Sequence, residues 1–458
     1  MRNGHLSHWM SRDDLDLPAT VPLDRDEEVD VAIVGGGLSG LWTAWALTQA
    51  DPTLSVAVFE AERLGFGASG RNGGWLSAKP VGIRDVLARQ HGGRAGVLEI
   101  EQRLEESIHD VVDVLGAQNI DARHGGWMQV ARSASEQNRI ENYLAKSRSW
   151  GVDEGRLRLL TAAEASERVN IAGVTGALHS PDNYCVDPVK MLLALARTVQ
   201  RAGVRIYTSS RVDTIEPGRL AVGAHSVRAR RHVVVATEGY SSRQRGQRRR
   251  MLPLNSAMLV TDRLTDDQWE QIGWAHGDGV SGAAHTYFYG QRTPDGRIAI
   301  GGRGKPYRFA SGVDRDGEVD QHTIAALTNL LADLFPQVPL AAAHAWCGVL
   351  GVTRDWSPFI DNDPSSKILR VGGYAGQGLT AAHLAGRIAS DLILQGDTKL
   401  STLPWVRQMP RRWEPEPLRW IGAHGLYRIY SIADVLEARA AGPRTSRLAL
   451  LADKIAGR

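Results

Sequence analysis

Residues 29–34 form a run of mostly β-branched apolar residues that reads as a buried parallel strand, and glycines follow it at once. A helix is expected over 38–50 and a second strand over 53–60, beyond the Asp51-Pro52 break. Together these make a βαβ unit. After Pro80 the period shifts to helical spacing over 84–115, with a short strand at 126–130 and another helix over 133–150. A helix over 188–202 then leads through Gly203 into a strand at 204–208, and the apolar strand 232–236 ends at Thr237. Strands at 254–261, 285–289 and 297–301 surround a helix over 319–334, with Pro294-Asp295-Gly296 as a hairpin turn. The opening strand, glycine turn and helix return at 368–373 and 379–395. Two interleaved domains follow from that return.

Composition removes several classes of function. Lys and Arg number 54 against 51 Asp and Glu, so net charge implies no nucleic-acid partner. The cluster Arg243, Arg245, Arg248, Arg249 and Arg250 lacks interleaved aromatics and reads as a solvated connection. Cys185 and Cys347 are the two cysteines and have no CxxC spacing, so neither a disulfide framework nor a metal site is expected. Residues 1–28 are polar where an export signal needs an apolar stretch, and charged or amide residues interrupt every hydrophobic segment. A cytoplasmic protein without a transmembrane segment is the expectation. From Leu403 the chain carries ten Lys or Arg against five Asp or Glu, with Trp405, Trp413 and Trp420. Leu418, Ile421, Ile429, Ile432 and Leu436 have helical spacing there, which suits packing across the core or, alternatively, contact with a membrane surface.

The glycines at the first turn satisfy GxGxxG at Gly35, Gly37 and Gly40, around Leu38 and Ser39. Gly35 permits the tight turn, Gly37 admits a pyrophosphate against the backbone, and Gly40 lets helix and strand pack closely. The helix N-terminus adds oriented N–H donors. Glu60 ends the next strand, where its carboxylate can accept hydrogen bonds from a ribose. FAD and NAD share this pattern.

The stretch Gly67-Ala68-Ser69-Gly70-Arg71-Asn72-Gly73-Gly74, following Glu60-Ala61-Glu62-Arg63, resembles the flavin loop of the D-amino-acid oxidase superfamily, most closely the branch containing γ-glutamylputrescine oxidase. The resemblance runs to about residue 400. It includes Asn183 to Pro188, Arg211-Val212 at the place of an adenine contact, the strand ending at Ala236-Thr237, the segment around Gly348, and the closing turn Gly376-Gln377-Gly378-Leu379-Thr380. It implies non-covalent FAD held by these positions together with Ala61, Arg63 and Trp75. The implied fold is α/β (α+β overall). A Rossmann-like FAD-binding domain (29–85, 155–250 and 345–402) interleaves with a mixed or antiparallel-sheet substrate domain (86–154 and 251–344). An N-terminal extension (1–28) and a helical C-terminal extension (403–458) complete the chain. Backbone donors at 376–380 would stabilise negative charge on reduced flavin.

Two departures bear on chemistry. Relatives that oxidise secondary amino acids carry a carboxylate-binding lysine near the place of Thr380, and an oxygen-assisting lysine near the place of Ala299. Cys347 stands one residue out of register with the cysteine that tethers flavin in some members, and reads as a buried structural thiol. The resemblance therefore implies FAD-dependent oxidation of a small primary or secondary amine, or of a γ-glutamyl polyamine, to an imine that hydrolyses. O2 is the expected acceptor, with a dehydrogenase feeding a quinone or other carrier as the alternative. A non-catalytic nucleotide-binding protein is the alternative of another class. Candidates facing the isoalloxazine are Trp75, His285, Tyr287, Tyr289, Arg303 and Gln377, of which Arg303 suits a substrate carboxylate or carbonyl.

Overall fold

The structure, a computed structural model, describes residues 1–274, 277–302, 306–313, 316–396, 398–440 and 442–457. Arg205–Tyr207, Val56–Phe59, Glu27–Val34, His225–Val235 and Ile368–Gly372 lie side by side in parallel as the centre of one sheet. Residues 31–34, 56–59 and 233–235 of these strands are buried on both faces, which explains the apolar runs there. Val31, Ile33, Val58 and Val234 face the helices Leu38–Ala50, Pro188–Arg201 and Gly378–Leu394, whereas Ala32, Val34, Ala57 and Val235 face a second cluster beneath the strands Thr214–Glu216 and Arg219–Val222. The helices Leu38–Ala50 and Gly378–Leu394 cross closely at Gly386, where a Cβ would stand 2.6 Å from the backbone carbon of Trp42. No residue with a side chain fits that crossing.

The larger sheet runs Arg2–Asn3, Ala342–Val352, Leu252–Thr261, Ile298–Gly302, Phe288–Arg292, Gly277–Gly282, Arg123–Ala131, Gly176–Ser180, Arg158–Thr161. Most neighbours are antiparallel. Along these strands the side chains alternate between two destinations. Met128, Val130, Ala257, Val280, Phe288 and Cys347 face a core that includes the helix Gln321–Leu334, while Gln129, Ser256, Ser281, Tyr289 and Gly348 face the parallel sheet's helices across a cavity.

Several expectations shift. The strands Arg158–Thr161, Gly176–Ser180 and Ala342–Val352 belong to the larger sheet, whereas the resemblance implies an FAD-binding domain over 155–250 and 345–402. Backbone pairing sets this membership, and it leaves no local mark in the sequence. The helical stretch 84–115 breaks into Arg84–Leu87 and Gly93–Leu115, because Gly92 and Gly93 both adopt positive φ. The strand expected at 285–289 is Phe288–Arg292, so His285 stands in a turn. The N-terminal extension is bound to the body of the protein: Arg2–Asn3 pairs with Ala342–Val352, the Trp9 indole N–H donates to the Asn72 carbonyl at 3.0 Å, and Arg12 pairs with Asp187 at 2.6 Å. At the other end, Leu418–Ala440 and Arg447–Ala456 are helices. Among the described residues no helix is long and apolar enough to cross a membrane.

Candidate active site

Two cavities, of about 300 and 360 Å³, meet at Ala68. The first lies where the parallel strands end. Val34, Gly35, Gly37, Leu38, Ser39, Glu60, Ala61, Gly67, Ser69, Val212, Ala236 and Thr237 line it. Gly35 takes a φ of +112°, which turns the chain from the strand Glu27–Val34 into the helix Leu38–Ala50. The Leu38 N–H donates to Ser69 Oγ at 3.0 Å, tying the helix start to the loop at 67–74. Glu60 is held by backbone: Gly36 N–H donates to Oε2 at 2.8 Å and Glu62 N–H to Oε1 at 3.0 Å. Burial pushes its carboxyl above the usual range, against the opposing pull of these donors.

The loop at 67–74 separates the cavities. Asn72 knits it, its amide nitrogen donating to the Ala68 and Ser69 carbonyls and its oxygen accepting from Gly74 N–H at 2.8 Å. The Arg71 guanidinium is buried, donates to the Cys347 carbonyl and stands 4.7 Å over the Phe66 ring. Asn72 thus holds the loop together and Arg71 ties it to the strand Ala342–Val352, which leaves the loop's small residues free to lie along a ligand.

The second cavity is bounded by Arg71, Asn72, Gly73 and Trp75 from that loop, by Gly376, Gln377 and Leu379 from the closing turn, and by Trp127, Gln129, Ser256, Ser281, Tyr287, Tyr289 and Gly348 from the larger sheet. The Tyr289 hydroxyl and Ser256 Oγ lie 2.9 Å apart, and burial pushes the phenol up to about 12. Gln377 stands at the N-cap of the helix Gly378–Leu394, without a side-chain cap hydrogen bond, behind left-handed backbone at Ala375 and Gly376, and Gln377 and Leu379 line the cavity, so the start of that helix lies at its edge. Glu238 fastens this turn: its Oε1 accepts from Gly373 N–H at 3.1 Å and from Tyr374 N–H at 3.2 Å. Burial raises its carboxyl to about 7.

Other expected residues stand elsewhere. Arg63 is exposed and lines neither cavity. Gly40 backs onto the Gly35 carbonyl, Gly74 packs toward Gln291, and Gly378 lies against Tyr374. Thr380 is buried with no hydrogen-bond partner for its hydroxyl among the described residues. His285 is not among the residues lining the second cavity; its Nε2 is 2.9 Å from Glu437 Oε1 and 3.1 Å from Arg139 Nη1, and its ring stacks on Tyr430. Asp434 joins this cluster, and within it the Arg139 guanidinium pairs with Glu437. Arg303 lies outside the described residues. Cys347 points into the core on the far side of the larger sheet, and neither cysteine is among the described residues lining these two cavities.

Sequence reading missed Glu238 and Lys79. Lys79, just beyond the strand Trp75–Ser77, lines the second cavity with its ammonium 3.9 Å from the Trp127 ring centroid and 5.1 Å from that of Trp75. Burial lowers it to about 7. The sequence around it, Ala78-Lys79-Pro80, carries no spacing that would single it out.

The donor set suits FAD. A carboxylate and a helix N-terminus in the first cavity fit a ribose and a pyrophosphate, and small residues beside a second helix N-terminus fit a flat ring in the next.

Comparison with known proteins agrees. The sequence model of the family described as DAO, FAD dependent oxidoreductase, matches residues 30–392. The chain is 27% identical over 389 residues to the gamma-glutamylputrescine oxidoreductase of Escherichia coli (strain K12), covering 82% of this chain and 86% of that one. It is 25% identical over 382 residues to sarcosine oxidase subunit beta of Arthrobacter sp, covering 79% and 87%. Among solved structures, glycine oxidase from Geobacillus kaustophilus superposes with a TM-score of 0.69 at 20% identity, over 84% of this chain and 99% of that one, which is a likeness of fold.

Proposed function

The chain belongs to the DAO family of FAD-dependent oxidoreductases, and from that premise we propose that it oxidises a small primary or secondary amine, a γ-glutamyl polyamine included. The observation that carries the reading is the second cavity, where flavin-cradle residues face a wall of Gln129, Ser256, Ser281 and Tyr289 supplied by alternate positions of separate strands. The relatives' names support it, since gamma-glutamylputrescine and sarcosine are both amines. FAD supplies the two-electron acceptor for the hydride carried by the amine carbon.

The chain's own residues do the rest. The first N–H groups of the helix Gly378–Leu394, with Gln377 ahead of them, provide positive potential at the edge of the cavity where negative charge develops. Trp75, Trp127 and Tyr289 exclude water and restrict the amine's approach. Tyr287, 40% exposed, stands at the solvent side of the cavity. The resulting imine leaves to water, so that amine, O2 and water yield a carbonyl compound, the released amine or ammonia, and hydrogen peroxide. The cofactor is held without a covalent bond to cysteine, as both thiols lie away from the cavities.

Mass-spectrometric identification of carbonyl products from aerobic incubations with amines and polyamines tests this directly. Aldehyde and peroxide in equal amounts are the expected result, and turnover of 2-hydroxy acids with no amine consumed would replace the reading. A second reading has its own observation. The two C-terminal helices expose Leu418, Ile421, Ile432, Val435, Leu450 and Leu451, a surface suited to a lipid-borne electron carrier in place of O2. Stopped-flow reoxidation of the reduced enzyme separates the two: return of oxidised flavin in air within milliseconds to seconds supports O2, and persistence of reduced flavin supports the carrier.

A further inference from the structure

Among the described residues, the wall of the second cavity contains no Asp or Glu, and it contains two cations, Arg71 and Lys79. Arg71 is committed to the Cys347 carbonyl and to the Phe66 ring. Lys79 has no ion pair and no hydrogen bond among the described residues; only the faces of Trp127 and Trp75 attend its ammonium. Behind it a small cavity holds Glu101 and Glu105, but Glu101 pairs with Arg84 at 2.6 Å and Glu105 with Arg156. Asp182 lines the same small cavity, and it too forms no ion pair with Lys79 among the described residues.

An ammonium substrate entering such a space would add positive charge to a wall that holds Arg71 and Lys79 and no anion, and like charges in a partly desolvated site repel strongly. A substrate that carries its own carboxylate changes the balance. The carboxylate supplies the counter-charge Lys79 lacks, and the remaining positive potential favours the neutral form of the amine, from which hydride is lost. We propose that Lys79 is the anchor for a carboxylate on the amine substrate, remote from the carbon that is oxidised, with Trp75 and Trp127 holding the ammonium in position. This rests on amine oxidation at the same cavity. It also identifies an anion site on the loop after the strand Trp75–Ser77, distinct from the places of Thr380 and Ala299.

The test uses a probe that cannot be oxidised, so that binding is read apart from turnover. Valerate and valeramide, equal in length and lacking an amine, are titrated calorimetrically into FAD-loaded enzyme, wild type and the Lys79→Met and Lys79→Arg variants. Flavin content and melting temperature establish that each variant is folded and loaded. Valerate is expected to bind the wild type, to bind Lys79→Met at least about tenfold more weakly, as loss of one charge-assisted pair implies, and to recover in Lys79→Arg. Valeramide should not distinguish the three. Equal valerate affinity for wild type and Lys79→Met, or no valerate binding to either, would overturn the proposal. Amine oxidation fails separately: a wild type that binds valerate through Lys79 yet turns over no amine retains the anchor and loses the reaction.

Discussion

In the proposed cofactor site two carboxylates, Glu60 and Glu238, each accept from two backbone N–H groups. Glu60 already accepts two backbone N–H groups, and its remaining capacity faces the first cavity. Replacing it by Gln removes the charge but keeps the shape. Reconstitution of stripped Glu60→Gln protein with FAD is expected to show affinity about tenfold below wild type, the scale of one lost charge-assisted hydrogen bond. Glu238 makes a pH-dependent contribution. Burial raises its folded carboxyl to about 7, above the unfolded value near 4.5, so between those values the folded form holds a proton that the unfolded chain has released. The stabilisation is fully present below the unfolded pKa and lost as pH rises through about 7. Melting temperature followed across this range should therefore fall more steeply for wild type than for Glu238→Gln, which stays neutral throughout. Parallel curves would show that Glu238 does not titrate there.

At the scale of elements, the helix Leu418–Ala440 reaches the site through one cluster. Asp434 accepts from the His285 and Thr286 N–H groups, each at 2.9 Å, and Glu437 pairs with Arg139 and His285, so the helix fixes the turn that leads into Tyr287. Glu437→Ala leaves the Arg139 guanidinium without its carboxylate in a mostly buried setting, and urea unfolding is expected to show a loss of about 3 kcal/mol. Because Tyr287 lines the second cavity, the same variant should raise KM more than it lowers kcat. An unchanged urea midpoint would mean that the helix is held by its apolar contacts alone. The His285 result also shows why an element boundary matters: as the first residue of a strand the ring would share a face with Tyr287 and Tyr289, but the strand starts at Phe288 and the ring meets Glu437 instead.

Across the whole molecule, the legible parts were those in which function is written locally. The cavity-lining residues within 35–39, 67–73 and 376–379 are contiguous stretches rich in glycine and other small residues, and composition reveals such stretches. The opposite wall is different in kind. Gln129, Ser256 and Ser281 reach the cavity only because three separate strands place alternate residues toward it, and strand order is a long-range property. Lys79 and Glu238 gain their meaning from what surrounds them in space, and the sequence next to each carries no sign of it.

In the proposed reaction an amine gives up its electrons to FAD within a two-part cavity. The most direct test is anaerobic mixing of the FAD-loaded enzyme with a panel of amines, polyamines and γ-glutamyl polyamines, with 2-hydroxy acids as controls, while the visible absorbance of oxidised flavin is followed. Full loss of that absorbance with one or more amines, and none with the hydroxy acids, is the predicted result. Flavin that stays oxidised with every amine, or bleaches only with a substrate lacking nitrogen, would contradict it.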